Sequence, residues 1–230
     1  RNSYVTETRM YLRGTLPNMQ REIKSRQVGD IVELGILIQN SEVGLGSLLI
    51  MPIIMRLACL NGMKVNDKKY AKSRKHVGMS YDVTNSEIYS DNTKALANQA
   101  WLSSVNDEMN HIFKEDTFDE IVDRLNVAAN SEEISDPEDS RDRLVIDCNL
   151  TEQEGKKILD ELYSKGDGTQ WGMANAITAT AQKANNADRS MELEEIGWNI
   201  ANLHENDWHN IAEAVITPKE KKKLGYSVIN

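Results

Sequence analysis

"IVELGILIQNSEVGLGSLLIMPIIMRLACLNGM", residues 31 to 63, is the stretch that decides the fold. Two apolar runs rich in Ile, Val and Leu, 28–40 and 46–60, are parted by the Gly- and Ser-containing segment 40–46. Such residues suit a pleated, half-buried surface, so the runs read as paired strands joined by a hairpin turn. Each run is longer than an ordinary strand. Gly35 and Pro52 are therefore the candidates for a bulge or bend, since Pro cannot donate to a ladder. Asn61-Gly62 reads as a tight-turn dipeptide closing the second run. Asn40 and Ser41 fit the turn, because their side chains readily bond neighbouring backbone. Arg56 reads instead as part of a functional surface.

Working outward, residues 4–13, "YVTETRMYLR", alternate as a strand before an expected turn at Gly14 to Asn18. Residues 70–82 suggest a third antiparallel strand after the Asn-Gly turn. The period then lengthens. Asp91 or Asn92 can cap a helix bearing Leu96, Ala100, Val105, Met109 and Ile112, with Trp101 expected to face the sheet. Residues 116–130 read as a second helix, and Thr151 with Glu154 forms a capping box for a helix ending at Gly166. Helical patterns continue around Trp171 and from residue 190 to 215. The acidic stretch 131–143, which contains Pro137, reads as a loop. The expected fold is α+β: an antiparallel β-β-β-α core followed by a mostly helical C-terminal half. Its organisation is a core over 1–130 with a basic segment, an acidic loop at 131–143 and a helical region at 144–230 packed on the core.

A chain of 230 residues is long enough to bury a sizeable core. No apolar run reaches the ~20 residues of a membrane span, so no membrane partner is expected. The opening Arg1 is compatible with a piece trimmed from a longer chain. Two distant cysteines, Cys59 and Cys148, suit a reducing cytoplasm. The net charge of −9 is unevenly spread. Residues 1–82 carry 13 Lys/Arg against 7 Asp/Glu, a balance of +6, and the rest of the chain carries −15. A basic front on an acidic protein points to a polyanionic or acidic partner.

Catalytic signatures are scarce. His204 and His209 lie five apart rather than the four of a zinc-binding helix, roughly 140° off one face. "GLGSLL" at 44–49 has two glycines of a dinucleotide loop but precedes a β-rich run, not a helix. A dispersed enzyme site would have to use His76 or His111 as base, with no substrate specified. No cofactor, metal or catalytic residue is expected. The feature that stands out is "KVNDKKYAKSRKH", 64–76. It gathers Lys64, Lys68, Lys69, Lys72, Arg74, Lys75 and His76 around Tyr70. Cations neutralise phosphates and an interleaved aromatic stacks on a base.

"NSEVGLGSLLIMPIIMRLACLNGM", "RKHVG" and "TQWGMANAITATAQ" resemble a phage- and plasmid-encoded family known as a domain of unknown function. Its members show similar N-S-x-x-G, R-x-x-C-x-N-G and W-G-x-x-N-A-x-T motifs. The matching positions are Asn40, Ser41, Gly44, Arg56, Cys59, Asn61, Gly62, His76, Trp171, Gly172, Asn175 and Thr178. The resemblance implies a mobile-element origin and supplies no activity. A looser likeness, in element order alone, is to the single-strand annealing proteins that phages use for recombination. Those proteins assemble into rings or filaments and lay single-stranded DNA along a basic groove. The expectation is a non-catalytic single-stranded DNA-binding or annealing protein acting in recombination or replication, homo-oligomeric, in the host cell cytoplasm. Arg56 joins the basic run as its DNA-binding set. A phage or host replication or recombination protein is a further possible partner. The alternative is an acidic interaction module that binds a host or phage protein.

Overall fold

The computed structural model describes residues 2–6, 9–41, 47–67, 69–75 and 90–224. Strands β1 (Asn2–Val5), β2 (Met10–Glu22), β3 (Ile31–Asn40), β4 (Ser47–Arg56) and β5 (Asn61–Lys64) form an antiparallel sheet in sequence order. A short sixth strand, β6 (Lys72–Lys75), also pairs with β4. Helices follow: α1 (Asp91–Ile112), α2 (Glu115–Ala129), α3 (Pro137–Asp147), α4 (Glu152–Lys165), α5 (Gln170–Ala181), α6 (Ala187–Ala201), α7 (Glu205–Ala212) and α8 (Pro218–Lys223). The protein is α+β, with an antiparallel sheet leading into a helical C-terminal half.

The two apolar runs pair without a break, Gly35 opposite Ile53 and Ile36 opposite Pro52. Pro52 is tolerated because of where it sits. β6 borders β4 over Ser47 to Ile50 and β5 borders it over Ile53 to Arg56, so Pro52 falls in the gap between them. Its carbonyl accepts from Val65 N there, at 3.1 Å. The N–H and C=O of one strand residue point the same way, so the missing donor would have faced that gap and no bond to β3 is lost. The irregularity lies instead in β2, where the register with β3 shifts between Thr15 and Gln20 around Pro17. The turn expected at Gly14 to Asn18 is thus a bulged continuation of the strand. Gly35 has no room for a side chain, since a Cβ would lie 2.6 Å from Gly14 O.

Asn61-Gly62 is not the tight turn. The chain reverses at 57–60, Leu60 takes the left-handed conformation (φ 55°), and Asn61 already pairs with Arg56. Gly62 answers a packing need, because a Cβ would meet Arg13 Nη1 and Met55 Sδ at 3.1 Å.

Val32, Leu34, Ile54 and Met63 pack in one core with Phe118, Ile121 and Leu125 of α2 and with Trp171 and Ile177 of α5. Tyr11, Leu37, Met51 and Ile53 form a second cluster with Met191 of α6. Val105, Met109 and Ile112 of α1 meet Ile36 and Ile50. Trp101, expected to face the sheet, is half-buried and outside that cluster. The acidic loop of 131–143 is shorter than expected. Asp136 accepts from Glu138 N and Asp139 N at 2.8 and 3.0 Å, and Pro137 opens α3 at its first turn. Pro belongs there because its missing N–H would be unsatisfied anyway. The capping box of α4 is present, and Gly166 ends that helix in the left-handed region.

Candidate functional site

The expected DNA-binding set divides into three groups. The first is interior. Arg56 is 6% exposed, and its Nε and Nη2 donate to Asp30 Oδ1 and Oδ2 at 2.5 and 2.8 Å. Lys64 is buried with its Nζ 2.6 Å from Glu195 Oε2. Burial works to raise the Glu195 pKa, but the Lys64 and Asn66 hydrogen bonds prevail and hold it below the ordinary value. Tyr70 is fully buried and donates from its hydroxyl to Glu120 Oε2 at 2.8 Å. Burial first, and that bond second, push its pKa up. Arg56, Lys64 and Tyr70 are therefore structural, which corrects the sequence expectation. A cation that lies inside is kept because a carboxylate pairs with it.

The second group is Lys69 together with the basic residues of β6. Lys69 is exposed and paired with Glu120, whose hydrogen bond raises the ammonium pKa. β6 places Lys72, Arg74 and Lys75 opposite Ile50, Leu48 and Ser47, on the outer edge of β4. The third group, Lys68 and His76, lies outside the described residues, as does Gly44.

The motif residues follow a different pattern. Asn40 Oδ1 and Ser41 Oγ are buried without a hydrogen-bond partner among the described residues, and residues 42–46 of the turn that they are expected to organise lie outside those residues. The later motifs converge. Arg56, Cys59 and Asn61 line one cleft with Gly172 and Asn175, over a hundred positions further along the chain. Asn61 Nδ2 donates to Asn175 O at 3.3 Å, and Trp171 Nε1 donates to Asp30 Oδ2 at 2.9 Å. Asp30, a completely buried acid, thus ties the β4 motif to the α5 motif. Thr178 closes the arrangement from below. It donates to Asn175 O at 3.1 Å and leaves no room for a Cβ on Gly197 of α6, which would sit 2.4 Å from its Cγ2. Gly172 is equally constrained, with Asp167 O only 2.1 Å from where its Cβ would be.

Sequence reasoning missed Asp30 and the cleft residues Gln27, Glu161, Lys165 and Lys183. Nothing local marks them, because they meet the motifs only through the tertiary fold. No family model, curated protein or solved structure matches this chain. Among the described residues no cluster of His, Cys, Asp and Glu could hold a metal ion, and no helix is long and apolar enough to cross a membrane.

Proposed function

We propose that this chain is a non-catalytic single-stranded DNA-binding protein of a phage or plasmid, acting in annealing during recombination or replication in the host cell cytoplasm. The observation that carries the reading is β6. Three of its four residues are basic, and it runs along the outer edge of β4. A cationic edge of this kind meets phosphates without reading sequence. Homo-oligomeric assembly is part of the same reading. Titrating the full chain into a fluorescently labelled oligonucleotide at low salt tests the reading. A saturable rise in anisotropy is expected, and a flat trace overturns it.

A second reading has its own support. Arg56, Lys64 and Lys69 are already paired with Asp30, Glu195 and Glu120, which leaves fewer cations for a polyanion. In that reading the acidic helical half binds a host or phage replication or recombination protein. A partner captured from host lysate that survives nuclease treatment favours it over DNA binding.

A further inference from the structure

α2 sets an acidic face beside the basic segment. Phe118, Ile121, Val122 and Leu125 bury its inner side in the core, while Glu115, Asp116, Asp119, Glu120 and Asp123 are exposed. The packing that seats one side of a helix also fixes where the residues of its other side stand. Nearby cations end on these acids. Arg21 of β2 donates from Nε to Asp119 Oδ1 at 2.8 Å, with its Nη2 3.4 Å from Glu115 Oε2. Lys69, three positions before the first residue of β6, donates to Glu120 Oε2.

Tyr70 steadies the Lys69 contact. Itself fully buried, it donates from its hydroxyl to the same Glu120 oxygen at 2.8 Å, which steers the carboxylate toward Lys69. The Lys69 bond first, and the Tyr70 bond second, hold the Glu120 pKa below its ordinary value, so the carboxylate stays charged. The side chains of Lys69 and Glu120 are nonetheless 50% and 52% exposed. An ion pair that exposed is weak, and a phosphate can take the place of the carboxylate without any unfolding.

We propose that the acidic face of α2 is an autoinhibitory contact for the single-strand site, with Glu120 holding Lys69 in the manner of a phosphate. A strand lying on β6 reaches Lys69 only by displacing Glu120, so the helix lowers the affinity of the basic segment next to it. The inference rests on the single-strand reading and adds its regulation: freeing Lys69 should strengthen binding.

Anisotropy titrations of a labelled oligonucleotide over a series of salt concentrations test it, comparing the full-length parent, Glu120→Gln, Lys69→Gln and the double variant. Gln keeps an acceptor oxygen for the Tyr70 hydroxyl while removing the charge. Glu120→Gln should bind about two- to fivefold more tightly at low salt. Its slope of log affinity against log salt should steepen by about 0.7, the share of one further phosphate. In the Lys69→Gln background the same substitution should leave the slope unchanged, because no cation is left to free. Parental slope and affinity in Glu120→Gln would overturn the inference while the single-strand reading stands. An equal gain in both backgrounds would overturn it too, since the carboxylate would then act by general repulsion rather than through Lys69. If neither the parent nor Glu120→Gln binds, the single-strand reading falls and this inference falls with it.

Discussion

Trp171 and Arg56, 115 positions apart in the chain, hydrogen-bond the same oxygen, Oδ2 of Asp30: the indole at 2.9 Å and the guanidinium Nη2 at 2.8 Å. The guanidinium carbon also lies 5.8 Å from the Trp171 ring centroid. This three-residue knot joins the start of β3, the end of β4 and the first turn of α5. Removing its centre leaves a buried arginine without its counter-charge. Asp30→Ala should therefore cost about 3–5 kcal/mol in urea unfolding. A loss below about 1 kcal/mol would mean that water reaches Arg56 and that the knot is not dry.

Trp171 itself is completely buried. Trp171→Phe retains most of the apolar contact but removes a donor to a carboxylate, so about 1.5–3 kcal/mol should be lost. Trp171→Ala adds a cavity and should cost about 3–5 kcal/mol. Equal losses from the two variants would show that the Asp30 bond, not packing, accounts for the residue.

Tyr70 makes a similar case within the basic segment. It is fully buried, with Lys69 and Arg124 over its ring at 5.2 and 5.7 Å. Tyr70→Ala should cost about 3–5 kcal/mol of stability, as for other buried aromatics. Tyr70→Phe gives up only the bond to Glu120 and should leave DNA affinity unchanged. A Tyr70→Phe variant of parental stability that lost affinity would restore Tyr70 as a binding residue.

Glu154 supplies the pH dependence. The Arg189 side chain, aided by the Thr151 backbone and hydroxyl, holds its pKa down at about 2. A carboxylate depressed in the folded state stabilises above its unfolded pKa, and that contribution fades as pH falls toward the folded value. The loss should therefore run from about pH 4.5 down to about 2. Glu154→Gln should flatten the stability profile in that window relative to the parent. Identical profiles below pH 4.5 would show that the Arg189 pair contributes nothing.

The elements that were legible in the sequence are those whose signal is local. The paired apolar runs of β3 and β4, the Thr151–Glu154 box and Gly166 all settle their structure within a few residues. Asp136-Pro137 was just as local, a cap followed by a first-turn proline, but the acidic composition around it pointed to a loop. Asn61-Gly62 misled for another reason. Leu60 takes the left-handed position one residue earlier, and the glycine serves packing against Arg13 and Met55. For the site, charge alone could not separate Arg56 and Lys64 from the surface lysines. Their partners, Asp30 and Glu195, come from 26 and 131 positions away.

If the β6 edge meets single-stranded DNA, as proposed, oligonucleotide binding must weaken as salt rises. Each phosphate neutralised on a single strand contributes a slope of about −0.7 in log affinity against log salt. Changing Lys72, Arg74 and Lys75 together to Glu should flatten that slope by roughly two units, with little change in melting temperature. A triple variant that binds with the parent's affinity and the parent's slope would contradict the account.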